Sequence, residues 1–373
     1  MPVPVPVPPA PNWSSAAAGP VASVGAMRIE QAQQLWQPHA GWLNTASYGL
    51  PPDPAWTALQ EALAGWRTGN MGATGEGWDE AQTRTRAAFA RLVGVPERDV
   101  AIGSAASQLF APVAAALPAG ATVLVPEVEF TSNLFPWLVQ EQRGVRVRTV
   151  PLAGLVDAID ADTDLVAFSL VQSADGTVAR YADIVAAARA HDALVAVDAT
   201  QACGWLPFDA ALADVVVLAA YKWLLAPKGT ALAYYAPELR DRMRPDAAGW
   251  YAGADPLTSL YGPPLRLADS ARRFDIAPAW FSYIGAAPAL ELLLQVGVPA
   301  IHAHNVSLAN RFRAGLGLPP ADSAITTAEV PEALSRLERA GLRAAVRAGR
   351  VRVSFHIYSS EDDVDRALTA LTG

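Results

Sequence analysis

The chain has 373 residues, of which 52% are hydrophobic and 17% charged, and its formal net charge is −8. This composition indicates a globular protein long enough for two associated domains and excludes a largely disordered chain. The sequence has neither a basic cluster nor an uninterrupted apolar run of about 18 residues, which argues against nucleic-acid binding and against a membrane-spanning helix. The one cysteine, Cys203, excludes a disulfide framework and is typical of a protein from the reducing cytoplasm.

The N-terminal residues 1–26 are rich in Pro, Val and Ala. Alternating Pro and Val cannot form a helix and favour extended conformations, so this segment is predicted to be a disordered tail. It lacks the positively charged start of a secretory signal. Periodic structure begins at Met27, which is an alternative start of the protein.

Helical and strand patterns alternate through the middle of the chain. Helical spacing from residue 83 to Gly94 is followed by a β-rich segment at 99–103. Further helices are predicted at 107–117, 133–144 and 182–192, and further strands at 121–126, 145–150, 164–171, 194–200, 213–220 and 230–235. Short apolar runs that alternate with helices predict a mostly parallel sheet covered on both faces, an α/β architecture.

The pattern changes after about residue 245. A turn-rich segment at 244–264 leads to a long helical stretch at 282–316, a strand at 351–358 and a helix at 361–372. Ser359 or Ser360 is the expected cap of the last helix. We therefore predict a large domain at 27–250 and a smaller C-terminal α+β domain at 251–373.

Several of the predicted strands end in polar residues. Ser104 follows the strand at 99–103, and a polar stretch at 127–133 follows the next one. Asp198 and Gln201 follow the strand that begins at 194, and Lys222 follows the strand at 213–220. In open α/β sheets ligands bind at the carboxyl ends of the strands, so these residues are predicted to form one site.

Lys222 is one of only two lysines in the chain, and the other, Lys228, is predicted to be a turn residue. Every other basic side chain is an arginine or a histidine. Arginine replaces lysine easily at a surface, but not where an amine must lose its proton and attack a carbonyl. The placement of Lys222 after an apolar run therefore indicates a reactive amine.

The residues at this edge suit one cofactor in particular. A helix N-terminus beside small hydroxyl residues binds phosphate, and a carboxylate holds a pyridinium nitrogen protonated. A lysine condenses with an aldehyde, and an aromatic residue such as Phe130 lies over a flat ring. Together these features indicate pyridoxal phosphate.

The stretches "VDATQACG" and "YKWLLAPKG" resemble those of the aminotransferase class V family of fold-type I pyridoxal-phosphate enzymes. This group includes cysteine desulfurases, isopenicillin N epimerase, kynureninase and C–S lyases. The resemblance extends from "LNTASYG" at 43–49 through "EVEFTSNLFPW" at 127–137 to the strand and helix at 351–368. It implies a homodimer with a mostly parallel central sheet and a smaller C-terminal domain.

The resemblance also implies roles for individual residues. Lys222 would hold the cofactor as a Schiff base and later move the Cα proton of the substrate. The other cofactor-binding residues implied are Asp198 at the pyridinium nitrogen, Gln201 and Ser173 at the phenolic oxygen, Ser104 and the Ala105 N–H at the phosphate with a further hydroxyl from Tyr221, Phe130 over the ring, and Trp250 at the border of the cofactor. The substrate-binding residues implied are Arg352 at the α-carboxylate and Asn44. His356 alternates with Arg352 and Ser354 along the predicted strand and is a further candidate for substrate binding, with core or surface packing as the favoured alternative. No metal site is predicted, because His302 and His304 are two residues apart and point to different faces of a helix.

Two departures from the family pattern bear on the reaction. Many relatives have a histidine stacked on the ring where this chain has Phe130, and a phenyl ring cannot transfer a proton. Cysteine desulfurases carry a nucleophilic cysteine shortly before the strand of Arg352, and the segment 342–354 has none. Cys203 is predicted to be a small core residue, so desulfurase activity is not expected.

The expected function is that of a cytoplasmic pyridoxal-phosphate enzyme acting on an α-amino acid. β-Elimination from a cysteine conjugate in small-molecule biosynthesis is favoured, and aminotransferase, epimerase and decarboxylase are the alternatives. A non-catalytic binding protein would have lost Lys222 or Asp198, and both are present. An NAD-type oxidoreductase would need a glycine fingerprint after a strand; "GATGEG" at 72–77 follows no predicted strand and is predicted to be a loop.

Overall fold

The computed structural model describes residues 27–36, 41–70 and 79–373. The predicted tail at 1–26 and the predicted loop at 72–77 lie outside the described residues.

Helices and strands alternate along most of the described chain. The helices are α1 (Ile29–Gln33), α2 (Asp53–Thr68), α3 (Glu80–Val93), α4 (Ala106–Ala116), α5 (Thr131–Leu138), α6 (Tyr181–Ala190), α7 (Pro237–Arg240), α8 (Trp280–Val296), α9 (Val298–Gly315), α10 (Ala333–Arg339) and α11 (Glu361–Thr372). The strands are β1 (Val100–Gly103), β2 (Thr122–Pro126), β3 (Arg146–Val150), β4 (Leu165–Ser169), β5 (Leu194–Asp198), β6 (Val215–Ala219), β7 (Ala231–Tyr235), β8 (Ile325–Ala328), β9 (Ala345–Arg347) and β10 (Arg350–Ser354).

The large sheet has seven strands in the order β1-β7-β6-β5-β4-β2-β3. All pairs are parallel except those of β7, which is antiparallel to both β6 and β1. The link from β6 to β7 holds no helix, and a parallel pair needs a crossover of about a dozen residues or more, so β7 runs back along β6. The predicted mostly parallel α/β sheet is confirmed, and the carboxyl ends of β1, β2, β4, β5 and β6 lie at one edge.

Both faces of this sheet are covered, which explains the nearly continuous apolar runs in its strands. Along β6, Val216 and Leu218 join one hydrophobic cluster, while Val215 and Val217 join another on the opposite face. Helix α8 belongs to the first cluster and packs against α2 and α3.

A smaller antiparallel sheet, in the order β8-β10-β9, lies in the C-terminal part of the chain. Its core combines Phe312 of α9, Val353 of β10 and Val364 of α11 with Leu43 from near the start of the described chain. A second, smaller α+β unit is therefore present, as expected. The division at residue 250 stays a prediction, since α8 lies beyond it and packs on the large sheet.

The helical stretch predicted at 282–316 is not continuous. It is divided into α8 and α9 at Gly297, whose φ of +87° and ψ of 130° lie outside the helical region, and Pro299 lies in the first turn of α9. Within the described ranges no single helix is long and apolar enough to cross a membrane. Helices α8 and α9 meet that criterion only as a pair, which bends by 84°.

The strand predicted at 351–358 is shorter in the structure and ends at Ser354. Beyond Ser354, side chains and not a neighbouring strand accept the backbone hydrogen bonds. The Ser359 hydroxyl accepts the N–H of His356 at 3.1 Å, and the His356 ring accepts the N–H of Ile357 at 2.7 Å. Helix α11 follows with Ser360 as its N-cap, one of the two residues expected.

Candidate active site

A pocket opens at the carboxyl edge of the large sheet, where the sequence predicts a site. Its lining comes from the ends of five neighbouring segments, so residues far apart in the chain meet there. The lining residues are Ala106, Phe130, Ser132, Ser169, Ser173, Asp198, Thr200, Gln201, Ala219, Tyr221 and Lys222.

Lys222 lies in the link between β6 and β7 and is buried, with 5% of its surface exposed. The antiparallel pairing of Ala219 with Ala231 holds the two ends of this link together. Burial is the main cause that lowers the pKa of Lys222 to about 8. The charges of Arg352 and Arg347 act in the same direction, and Asp198 opposes the shift. Its Nζ lies 5.2 Å from the centre of the Phe130 ring. Lys222 therefore presents an amine that loses its proton more easily than an ordinary lysine.

Asp198 ends β5 and is buried in the pocket wall. It accepts the N–H of Thr200 at 2.8 Å. Burial raises the pKa of Asp198, whereas Thr200 and the Lys222 ammonium lower it. Asp198 and Lys222 attract each other, but their charged atoms lie more than 4.0 Å apart. Both side chains line the same pocket.

Gln201 connects three parts of the site. Its Nε2 donates to the Ala46 carbonyl at 2.9 Å and to the Ser173 hydroxyl at 3.1 Å, and its Oε1 accepts from the Trp223 indole at 2.7 Å. Gln201 thereby links the loop at 43–49 and the loop of Ser173 to the segment after Lys222.

The N-terminus of α4 lies beside the pocket through Ala106. Ala105 is its N-cap, is exposed, and supplies no side-chain cap, so the first-turn N–H groups are available to an anion. The backbone N–H of Ser104, in contrast, donates to Gln108 Oε1 at 2.8 Å. Ser132 of α5 adds a hydroxyl to the same side of the pocket.

Arg352 reaches the site from β10 of the small sheet and is 1% exposed. Its guanidinium donates to the Ser173 carbonyl, to the Ser173 hydroxyl at 3.3 Å and to the Ser47 hydroxyl at 3.0 Å. Its Nε has no partner within the described chain, and neither does the buried Oδ1 of Asn44. The backbone of Asn44 forms a β-bridge with Ser354, two residues along from Arg352. Burial and the charge of Arg347 lower the pKa of Arg352 to about 10. This buried cation is suited to binding an anion.

Six residues expected at the site are absent from the pocket lining, namely Asn44, Ser104, Ala105, Trp250, Arg352 and His356. Trp250 is half-buried and packs edge-on against Tyr251, with 5.3 Å between the ring centres. His356 is fully buried, and its Nε2 donates to the Trp223 carbonyl at 2.9 Å, since Nδ1 already accepts from Ile357. Burial lowers the pKa of His356 to about 4, so the ring is neutral. His356 therefore holds the segment after Lys222 through this hydrogen bond and does not line the pocket.

Several site residues were not singled out from the sequence. Glu129 is buried and accepts hydrogen bonds from the backbone of Phe130 at 2.9 Å and of Ser169 at 2.7 Å, so it ties the end of β2 to the end of β4. Burial raises the pKa of Glu129. Thr200 and Ser132 also line the pocket. Both lie within the motifs quoted above, two residues after Asp198 and Phe130 respectively, and this position is the sequence signal that could have identified them.

A buried lysine and a buried aspartate at the carboxyl edge of such a sheet are the arrangement expected of a fold-type I pyridoxal-phosphate enzyme. The aminotransferase class-V family model matches residues 58–333, and the chain belongs to this family.

Relatives and solved structures agree with this assignment. The uncharacterized aminotransferase YcbU of Bacillus subtilis is 29% identical over 319 residues, covering 79% of this chain and 85% of that protein. Isopenicillin N epimerase of Streptomyces clavuligerus is 26% identical over 340 residues, covering 78% and 84%. The cystine C–S lyase C-DES superposes with a TM-score of 0.80 at 20% identity, covering 89% of this chain and 97% of that chain. The cysteine desulfurase CsdA of Escherichia coli superposes with a TM-score of 0.79 at 20% identity, covering 93% and 98%.

The enzyme uses pyridoxal phosphate, the cofactor of the family, and the pocket fits it chemically. Lys222 would provide the amine for the aldehyde, and Asp198 a carboxylate for the ring nitrogen. The uncapped start of α4 and Ser132 would provide donors for the phosphate, and Phe130 an aromatic face.

Proposed function

We propose that this enzyme is a C–S lyase that catalyses β-elimination from an S-substituted cysteine, as a homodimer in the cytoplasm, in small-molecule biosynthesis. The observation that carries the proposal is the set of acid–base groups in the pocket. Lys222 supplies an amine with a lowered pKa, the residue beside it is Phe130, and among the described residues neither an imidazole nor a thiol lines the pocket. β-Elimination needs one base at Cα, whereas epimerisation needs proton donors on two faces.

The residues act on the substrate in a simple order. Pyridoxal phosphate, when bound, withdraws electrons from Cα of an amino acid and makes the Cα–H bond acidic. Arg352 binds the α-carboxylate with paired N–H donors and fixes the orientation of the substrate. Lys222 Nζ takes the Cα proton, and its ammonium can return a proton to the departing sulfur. The Cα–H and Cβ–S bonds break, a Cα=Cβ bond forms, and the released aminoacrylate reacts with water to give pyruvate and ammonia.

Cys203 supports elimination over desulfurisation. It is the one cysteine of the chain, is 3% exposed and belongs to the main hydrophobic cluster. Burial raises the pKa of its thiol to about 12, so it holds its proton at neutral pH. A desulfurase needs an accessible thiolate to accept sulfur from the substrate.

The homodimer is supported by exposed apolar side chains. Tyr261 and Leu265 are 88% and 79% exposed, and Leu257 is 70% exposed in the same segment. Such a concentration of exposed large apolar residues marks an interaction surface. The cytoplasmic assignment is supported by the unpaired cysteine, which suits a reducing compartment.

The test is an assay of the purified holoenzyme with S-alkyl cysteines. We expect pyruvate and ammonia in equal amounts without any added keto acid, no activity in Lys222→Ala, and full activity in Cys203→Ala. Amine transfer that requires a keto acid would identify an aminotransferase instead, and loss of Cα chirality without pyruvate would identify an epimerase. Loss of sulfur release in Cys203→Ala would restore the desulfurase hypothesis.

A further inference from the structure

Two arginines of the small sheet converge on one hydroxyl beside the pocket. Arg352 Nη2 donates to Ser47 Oγ at 3.0 Å, and Arg347 Nη2 lies 3.4 Å from the same oxygen. Arg352 also contacts Ser173, which lines the pocket. Because Arg352 is buried and Arg347 is exposed, the two guanidinium groups form a path of positive charge from the pocket to the surface.

Neither guanidinium has an acidic partner. Across the described ranges, no carboxylate oxygen lies within the 4.0 Å ion-pair limit of Arg347 or Arg352. Their neighbour Arg350 shows the contrast, since its Nε pairs with Glu329 at 2.8 Å. The excess positive charge reaches the catalytic amine, because Arg347 contributes to the lowered pKa of both Arg352 and Lys222.

The β9–β10 hairpin fixes the position of Arg347. Arg347 pairs directly with Arg350, and two residues connect them. These residues, Ala348 and Gly349, have φ values of +46° and +78°, the left-handed geometry of a tight hairpin turn. The second nitrogen of Arg347, Nη1, donates to the Val346 carbonyl at 2.8 Å. Arg347 is thus held by its strand, its own neighbour and Ser47.

The geometry points to Arg347 as a specificity residue that binds a second anionic group, a carboxylate on the sulfur substituent of the cysteine conjugate. With the α-carboxylate on Arg352, a substituent that extends toward solvent passes Arg347, which offers free N–H donors without a competing acid. The inference rests on the proposed function for the cysteine part of the substrate. It adds the chemical class of the substituent, which that proposal leaves open.

The experiment compares two nearly isosteric ligands, S-(2-carboxyethyl)cysteine and S-(2-carbamoylethyl)cysteine. Their dissociation constants are measured from the change in cofactor absorbance as each is titrated into holoenzyme, and pyruvate release is followed separately. We expect the wild type to bind the carboxylate about fivefold more tightly than the amide, a difference typical of a partly exposed ion pair. Arg347→Gln is expected to abolish this preference.

Arg350→Gln is the matched control, because it removes the same charge from the paired position of the hairpin but from a residue that Glu329 already neutralises. It is expected to keep the preference. Any of three results would overturn the role of Arg347. The wild type could show no preference, Arg347→Gln could weaken the binding of both ligands equally, or Arg350→Gln could lose the preference as well. A binding preference that follows Arg347 while no pyruvate forms would uphold this inference and reject β-elimination.

Discussion

Lys222 lowers the stability of the folded protein, because its charged amine is buried. The pKa of an ordinary lysine is 10.5, and in the folded chain it falls to about 8. Between these two pH values the unfolded chain binds more protons than the folded one, so the contribution of Lys222 to stability rises with pH across this window. Below pH 8 both states are protonated, and the full destabilisation is present. A site that needs a neutral amine therefore reduces the stability of its own scaffold.

We predict that Lys222→Met stabilises the cofactor-free protein at pH 7, by about 1 to 3 kcal/mol in the free energy of unfolding. The reason is that the variant removes a poorly solvated ammonium. The gain should shrink as the pH rises from 8 to 10.5, and above pH 10.5 the lysine of the wild type is neutral in both states. Urea unfolding at several pH values measures it, and Lys228→Met, at an exposed lysine of the same link, should change little. A gain independent of pH would show that packing of the methionine, and not the charge, is responsible.

Among the elements, the loop at 43–49 positions the catalytic segment by direct backbone contact. The Gly49 N–H donates to the Tyr221 carbonyl at 2.9 Å. A Cβ placed on Gly49 would lie 2.2 Å from the Lys222 carbonyl oxygen and 2.6 Å from a methyl group of Leu225. Glycine is needed here for close approach of two backbones.

Gly49→Ala should therefore destabilise the enzyme by about 1 to 3 kcal/mol, as overpacking does, and displace Lys222. We expect a lower urea midpoint together with a reduced rate of pyruvate release at saturating substrate. Gly154→Ala is the control, because a Cβ there meets no atom within 4 Å and should change stability by less than about 0.5 kcal/mol. Equal stability of the two variants would contradict the close approach.

The elements also show what could be predicted from the sequence. The apolar runs that alternate with helices were enough to predict the strands β1 to β6 and their order along the chain, because buried parallel strands leave a strong local signal in the sequence. The reversal of β7 depends on how the link around Lys222 folds, and the break at Gly297 depends on one dihedral angle. Neither leaves a periodic signal.

The site was predictable where its residues follow strands, as Asp198 and Lys222 do. The contacts of Arg352 could not be predicted from the sequence, because its partners Ser47 and Ser173 lie 305 and 179 positions away in the chain. His356 alternates with Arg352 along the sequence, but the strand ends at Ser354, and the ring turns into the core.

At the scale of the whole molecule, the active site lies where the two sheets meet. The large sheet contributes Asp198 and Lys222 from its carboxyl edge, and the small sheet contributes Arg352 from β10. Gln201 and Ser173 join the two by hydrogen bonds. The two sides of the candidate site are thus held by different folding units.

The proposed homodimer gives a prediction for the molecule as a whole. Light scattering should give twice the 39.2 kDa of one chain. Replacing Tyr261 and Leu265 together by Asp should shift the protein towards one chain with little effect on its melting temperature, since both side chains are exposed. Leu212→Asp is the control: Leu212 is 41% exposed, but it precedes β6 at the edge of the sheet opposite the site, so it should leave the mass unchanged. A single-chain mass for the wild type, or a double variant that keeps the dimer mass, would contradict an interface at this segment.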